Sequence, residues 1–97
     1  MLRTAARVDA NQAEIVDALR GIGASVLLVF QLKNCFDILV GYRNRTFLME
    51  IKDPNQPPSK RKLTEGEEAF RQAWRGSPYH VVHTVDEAIH IVTAPAQ

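Results

Sequence analysis

Two short apolar runs separated by a polar turn constrain the fold of this chain more than any other sequence feature. The first run extends from Phe36 to Tyr42 and the second from Thr46 to Ile51, and the residues between them are polar. Such a segment is short enough to close a β-hairpin, either as a two-residue loop at Arg43 and Asn44 or as a symmetric four-residue loop. Both loops give the same pairing of the two strands.

This pairing places Asp37 directly opposite Glu50 and predicts what each face of the hairpin carries. Because side chains alternate between the faces of a strand, one face is apolar and continuous, formed by Phe36, Ile38, Val40, Phe47, Met49 and Ile51. Asp37, Glu50 and Lys52 share the other face. Two carboxylates that face each other across a sheet repel, and a fold selected only for stability tends to avoid them. A bound cation would remove the repulsion.

The elements around the hairpin are predicted from helical spacing and from residues that begin and end helices. A first helix is predicted from Asn11 to about Ile22, with Asp9 as its N-cap and Gln12 completing a capping box. Residues 24–32 are predicted as the first strand, paired with the hairpin. Three prolines predict an extended loop over residues 53–59.

Two further capping boxes and one short apolar run complete the order of elements, which is α-β-β-β-α-β-α. A helix is predicted to begin after Thr64 and to place Phe70 and Trp74 in the core. A fourth strand over residues 79–82, a helix opened by Thr84 with Glu87, and a loose tail over residues 93–97 follow. The predicted fold is an α/β domain with a small mixed sheet flanked by helices.

Length and composition predict one small domain over residues 1–97, with residues 1–8 as an N-terminal arm. The 97 residues are 45% hydrophobic and 24% charged, with a formal net charge of +1. A domain of this size buries a small share of its surface, which favours a homodimer. The single cysteine, Cys35, excludes an intramolecular disulfide, and no apolar run approaches the roughly 20 residues that span a bilayer. The N-terminus lacks the apolar segment of a signal peptide, so we expect a cytoplasmic protein.

Four motifs together resemble the PD-(D/E)XK nuclease superfamily, and within it the small stand-alone VRR-NUC proteins of phages and bacteria. They are Glu14 in the first helix, Asp37 in Phe-Asp-Ile-Leu-Val-Gly, the tripeptide Glu50-Ile51-Lys52 at a strand end, and Lys62-Leu63-Thr64 before a helix. The resemblance implies a restriction-endonuclease-like core and a Mg²⁺- or Mn²⁺-dependent deoxyribonuclease. Members of this family include nicking and Holliday-junction-cleaving enzymes, and a C₂ homodimer would present two matching sites to a four-way junction.

The resemblance also implies a role for each site residue. Asp37 and Glu50 would be the metal ligands together with the backbone carbonyl of Ile51, and Lys52 would orient the attacking water and offset charge on the phosphate. Glu14 would complete the shell through a water or bind a second ion. Simpler interpretations remain for two of them, because a carboxylate in a first helical turn is favoured by the helix dipole and a lysine can form a surface ion pair.

This chain departs from the family pattern at several positions. Phe36 precedes the aspartate where the family usually has proline. The relatives often carry a glutamine near the position of Glu67, although Gln72 lies further along the same helix. The arginine pair of the VRR group has no clear match.

The basic residues are unevenly distributed and suggest where DNA would bind. From Arg43 to Lys62 there are six Lys or Arg against two Asp or Glu. The predicted phosphate contacts are Arg43 and Arg45 in the hairpin turn and the run Lys60, Arg61 and Lys62 after the prolines. A basic run of this kind is also common in loops that only contact solvent.

Other functions were weighed against a nuclease. His80 and His83 suggest zinc, but three residues apart at a strand end they point to opposite faces. The sequence has no nucleophile elbow, phosphate-binding glycine loop or cysteine pair, so no organic cofactor is expected. Two alternatives from other classes remain: a nucleic-acid-binding protein that keeps the fold without turnover, and a partner protein such as a phage inhibitor with no nucleic-acid role.

Overall fold

The computed structural model describes residues 9–96, so the predicted N-terminal arm over residues 1–8 and the last residue of the predicted tail lie outside the described residues. Within that range the elements follow in the order α1 (Gln12–Gly21), β1 (Ser25–Leu28), β2 (Ile38–Tyr42), β3 (Arg45–Ile51), α2 (Pro58–Arg61), α3 (Glu65–Ala73), β4 (Tyr79–Val82) and α4 (Val85–Thr93). In the described part of the chain, no helix combines the length and the apolar character that crossing a bilayer requires.

The hairpin of β2 and β3 has the predicted register. Ile38 pairs with Met49 and Val40 pairs with Phe47 in an antiparallel ladder. The loop has two residues, and both lie in the left-handed region, Arg43 with a φ of 51° and Asn44 with a φ of 64°. Positive φ at both loop positions is the mark of the type I′ turn, whose twist matches that of the strands it joins. The predicted pairing is therefore confirmed from Ile38 to Gly41, whereas the predicted pairs of Asp37 with Glu50 and of Phe36 with Ile51 lie outside the ladder.

The four strands form one small mixed sheet in the order β1-β2-β3-β4. Strand β1 pairs with the hairpin, as predicted, and is antiparallel to β2, whereas β4 is parallel to β3. Helices α1 and α4 pack against each other and cover one face of the sheet. The core between them contains Ile15, Val16, Leu19, Ala24, Val26, Ile38, Val40, Phe47, Met49, Ile51, Val82, Ala88 and Val92. The fold is thus a compact α/β domain whose main core lies on one face of the sheet.

Phe36 was predicted on the core face, and that prediction is wrong. Its ring lies 5.9 Å from Phe70 and 6.5 Å from Tyr79, between ring centres, outside the core. The cause is a turn of the backbone at Asp37, whose carbonyl accepts from Val29 N just after β1 (2.8 Å) while its N–H donates to Met49 O on β3 (3.0 Å). A regular strand residue directs both groups to the same neighbour. Strand β2 therefore begins at Ile38.

Phe70 and Trp74 were also predicted in the core, and this too is wrong, because neither belongs to the core of buried residues. Helix α3 ends at Ala73, and the Trp74 side chain is 39% exposed, stacked on Phe70 at 5.6 Å between ring centres. Phe36, Phe70, Trp74 and Tyr79 form a separate aromatic cluster on the side of the sheet opposite α1 and α4. This cluster holds α3 against the sheet.

The loops before and after the hairpin differ from the prediction. Strand β1 stops at Leu28 instead of residue 32, so residues 29–37 form a loop. The predicted extended loop contains the short helix α2, which begins with Pro58. Proline suits that first position, because its missing N–H has no helical partner there and its φ is already helical. The element order is therefore α-β-β-β-α-α-β-α.

Helix caps account for the remaining differences. The capping box of Thr64 and Glu67 is present as predicted. The N-cap residue of α1 is Asn11 and not Asp9, and its side chain makes no capping hydrogen bond, so the predicted capping box of Asp9 and Gln12 is wrong. The Asn11 amide instead donates to the carbonyls of Lys52 (3.2 Å) and His83 (2.7 Å). This ties the start of α1 to the ends of β3 and β4.

The C-terminal helix continues into the predicted loose tail. Thr84 accepts from Glu87 N as expected, but the Glu87 carboxylate accepts from His83 N, one residue before the predicted donor. Thr93 lies within α4, and the carbonyl of Ala94 accepts from Arg45 Nη1 at 2.6 Å. The prediction of a loose tail is therefore wrong for Thr93 and Ala94.

Candidate metal and phosphate site

Asp37 and Glu50 lie at the end of the hairpin away from its turn. Glu50 belongs to β3 and is 4% exposed, whereas Asp37 precedes β2 and is half-buried. Asp37 Oδ2 accepts a hydrogen bond of 2.7 Å from Ile51 N, so this carboxylate is held across the strand boundary beside β3. The same backbone turn that removes Phe36 from the core thus brings the Asp37 carboxylate to Glu50 and Ile51.

Lys52 lies between two carboxylates. Its Nζ is 3.2 Å from Glu50 Oε2 and 3.0 Å from Glu67 Oε1, and the residue is 8% exposed. Lys52 therefore does not form a surface ion pair, because its ammonium group is enclosed. A charge that is withdrawn from water and hydrogen-bonded on two sides is held in position much more firmly than a surface lysine.

The pKa values at this site are shifted by burial and by the crowding of acids. Burial, then the charges of Asp37 and Glu67, raise the pKa of Glu50 to about 9. Burial raises the pKa of Asp37 to about 6, although its hydrogen bond from Ile51 acts in the opposite direction. Burial opposes ionisation of Lys52, but Glu67 and Glu50 outweigh it and raise its pKa, so the ammonium stays charged.

These groups form the floor of a cleft of about 940 Å³. Among the described residues the predicted site residues that line it are Asp37, Glu50, Ile51, Lys52, Lys60 and Lys62. Lys33, Lys60 and Lys62 supply positive charge at its edges. The cleft therefore combines a carboxylate floor with a lysine rim.

Four predicted site residues lie elsewhere. Glu14 is exposed on α1 and lines a smaller cavity with Asp53 and Asp86. Arg61 is not among the described residues that line the cleft. Arg43 is at the hairpin turn and Arg45 pairs with Tyr42 beside it, so the two lie six and five residues of strand from Asp37, roughly 16 to 20 Å at about 3.3 Å per residue. Arg45 also packs over Phe47 and donates to Ala94 O.

Three charged residues among those that line the cleft were not predicted from sequence as site residues. Asp9 lines the cleft, and burial, the first of several causes, raises its pKa. Glu67 was predicted as a capping residue and lies where the family often has a glutamine, but it was not predicted as a site residue. Its Oε1 accepts from both Thr64 N (2.9 Å) and Lys52 Nζ (3.0 Å). Lys33 fell just beyond a run taken for a strand. The capping motif was a usable signal for Glu67, whereas Asp9 and Lys33 reach the cleft only through long-range packing.

The donor groups suit an open magnesium or manganese site better than a closed site in which protein side chains fill every ligand position. Within residues 9–96, no group of three or more His, Cys, Asp or Glu side chains is arranged to hold a metal ion. Mg²⁺ is commonly bound by one or two carboxylates, with water and substrate phosphate at its other positions. Asp37, Glu50 and the carbonyl of Ile51 fit that pattern. The raised pKa values also indicate that added positive charge is favoured here.

Comparison of the chain with protein-family models, with curated proteins and with solved structures gives no match. The function must therefore be inferred from the chemistry of the cleft.

Proposed function

We propose that this protein is a Mg²⁺- or Mn²⁺-dependent deoxyribonuclease with a restriction-endonuclease-like core. The observation that carries the proposal is the meeting of Asp37, Glu50 and Lys52 on the floor of one lysine-rimmed cleft. Phosphodiester hydrolysis needs charge compensation on the phosphate and an activated water, and these residue types can provide both around a hard cation. The fold does not need a buried lysine enclosed by acids for its stability, because apolar residues of similar volume stabilise a core as well or better.

Asp37, Glu50 and the Ile51 carbonyl would hold the ion. When bound, it supplies Lewis-acid charge compensation and a water of lowered pKa. Glu50 holds a proton at neutral pH because its pKa is raised to about 9, and it must lose this proton to act as a ligand. Lys52 keeps its ammonium charge and directs it at the cleft, where it orients water and offsets negative charge on a phosphate oxygen.

The rim of the cleft would bind the phosphates that flank the scissile bond. Lys33 extends from the loop between β1 and β2, and Lys60 and Lys62 come from the segment around α2, so two separate segments of the lining supply positive charge. Lysine contacts of this kind position a nucleic acid without reading its sequence. Arg43 and Arg45 are left out of this role because they lie at the other end of the hairpin.

We further propose a homodimer acting on DNA inside a bacterial or phage-infected cell. A two-fold dimer carries two copies of the cleft in symmetric positions, which suits a nicking or junction-cleaving enzyme. Cross-linking or sedimentation of the purified protein tests the dimer, and a monomer at micromolar concentration would contradict it.

The deciding experiment is a cleavage assay on linear duplex, nicked, flap, single-stranded and four-way DNA, with Mn²⁺ or with chelator. We expect cleavage only with the ion, and its loss in Asp37→Ala and Glu50→Ala. Asp86→Ala is a matched control, because Asp86 is exposed and lines the other cavity. Salt-sensitive DNA binding without cleavage would instead identify a non-catalytic DNA-binding protein, a possibility favoured by the ion pairs that already engage Lys52.

A further inference from the structure

The loop over residues 29–37 forms one wall of the cleft and is fixed at several points. Val29 N donates to Asp37 O at 2.8 Å, which closes the base of the loop, and Leu32 N donates to Val29 O at 3.0 Å, which makes a turn. Further along, the carbonyl of Cys35 accepts from the Tyr79 hydroxyl at 2.8 Å. The loop is therefore held by hydrogen bonds on both sides of its outermost residues.

This wall presents apolar and basic side chains next to each other. Phe30, Leu32 and Lys33 all line the cleft that contains Asp37 and Glu50. The Leu32 side chain is 63% exposed. A site that bound only phosphate groups would gain nothing from a large apolar side chain at this place, so the wall fits a ligand that has an apolar surface beside its phosphate.

A nucleotide whose base is unpaired has that combination. In a continuous duplex the base faces are stacked on one another, and a protein meets phosphates, sugars and base edges. In single-stranded DNA the base faces are open, and they pack on apolar and aromatic side chains while lysines follow the backbone. Lys33 next to Leu32, with Lys60 and Lys62 in the same cleft, provides the backbone contacts.

We propose that Leu32 and Phe30 receive an unpaired base beside the scissile phosphodiester, so that the preferred substrate is DNA with unpaired nucleotides at the cleavage position. The proposal deepens the nuclease function proposed above and depends on it. Leu32 contacts the substrate in this scheme, and its removal affects DNA with an unpaired segment more than continuous duplex.

Leu32→Ala tests the proposal, and Leu27→Ala is its matched control. Leu27 is 60% exposed on β1, and it is not among the described residues that line the cleft. Two DNAs of the same sequence are compared, a continuous duplex and a duplex whose strands are splayed at one end. Binding is measured in chelator and cleavage in Mn²⁺. A third variant, Leu32→Met, restores an apolar side chain of similar size, and melting temperatures confirm that each variant is folded.

For wild type we expect tighter binding and faster cleavage of the splayed DNA. Leu32→Ala should weaken binding of the splayed DNA about tenfold, which lies in the lower part of the range of affinity losses measured when a side chain that packs on a base is replaced by alanine. Binding of the duplex should change less than twofold. Leu27→Ala and Leu32→Met should behave as wild type. If wild type cleaves DNA but Leu32→Ala matches Leu27→Ala on the splayed substrate, or if wild type prefers duplex, the inference is overturned and the nuclease function stands. If wild type cleaves none of the DNAs with Mn²⁺, both are overturned.

Discussion

Asp37→Asn should raise the melting temperature of the metal-free protein and abolish stabilisation by Mn²⁺ or Mg²⁺. The substitution keeps the shape of the side chain, and the amide oxygen can still accept the hydrogen bond that Asp37 Oδ2 receives from Ile51 N at 2.7 Å. It removes one negative charge from a site where burial disfavours charge. The metal-free protein should gain stability, whereas the ion should lose a ligand.

The size of the gain follows from the pKa of Asp37. Burial raises this pKa from 3.8 to about 6, so ionisation of Asp37 favours the unfolded chain. The stability of the folded protein is therefore greatest below the pKa of Asp37 in the unfolded chain. It is lost as the pH rises through the pKa of Asp37 in the folded protein. The difference corresponds to about 3 kcal/mol at neutral pH at about 1.4 kcal/mol per pH unit. Asp37 is only half-buried, so solvent screening reduces this to about 1 to 2 kcal/mol. In a domain of this size that is about 5 to 10 °C in melting temperature.

The ion should act in the opposite direction on wild type. A ligand that binds only the folded state stabilises it by mass action, by about 2.7 kcal/mol when it is present at a hundred times its Kd. The gain should grow from pH 6 to pH 9, because the Glu50 carboxyl, whose pKa is raised to about 9, must lose its proton to bind the ion.

The assay is a set of melting curves at pH 4 and pH 7.5, with millimolar Mn²⁺ or with chelator. At pH 4 the gain from Asp37→Asn should largely disappear, since Asp37 is then protonated in the folded wild type. Asp86→Asn is the control, because Asp86 is exposed and lies outside the cleft. If wild type shows no shift with the ion, and Asp37→Asn is no more stable than wild type in chelator at pH 7.5, the two carboxylates do not form a metal site.

Three further predictions concern the other residues of the cleft. Lys52→Ala should abolish cleavage in single-turnover assays, and combining it with loss of a carboxylate ligand should add little, because these groups act as a unit. Additive losses would contradict that. Asp9→Ala should raise the Mn²⁺ concentration needed for half-maximal cleavage, whereas Glu14→Ala should leave it unchanged; the reverse order would restore Glu14 to the site. Lys60→Ala and Lys62→Ala should each reduce the slope of log K against log salt on duplex DNA by about 0.9, and an unchanged slope would show a lysine that contacts only solvent.

The register of the hairpin could be predicted because it depends on local features. The alternation of apolar residues and the short polar turn determine which residues of β2 and β3 face each other, and the structure has the same pairs. Asp37, Glu50 and Lys52 follow from that register. The position of Arg43 and Arg45 also followed from it, since the turn must lie at the opposite end of the strands from Asp37. Their contact with the backbone of the same DNA stays a prediction, at a distance from the cleft that this strand length sets.

The rest of the site depends on packing that has no local signature. The backbone turn at Asp37 arises from hydrogen bonds to Met49 on β3 and to Val29 just after β1, and it reverses the side on which Phe36 lies. Asp9 reaches the cleft because Asn11 ties the start of α1 to the ends of β3 and β4. Lys33 reaches it because β1 ends earlier than its apolar run suggests. Each of these contacts joins residues that are distant in sequence, so spacing and propensity alone do not indicate them.

The shared oxygen of Glu67 makes the first turn of α3 sensitive to what happens at Lys52. Glu67 Oε1 accepts from Thr64 N and from Lys52 Nζ, so the same atom caps the start of α3 and positions the lysine. Within residues 65–73 no residue of α3 is buried, which leaves this helix dependent on its cap and on its aromatic contacts. A phosphate that draws Lys52 away would change the bonding of that oxygen. Amide hydrogen exchange at the start of α3 should then respond to occupancy of the cleft, so that a helix end without catalytic groups reports on substrate binding in solution.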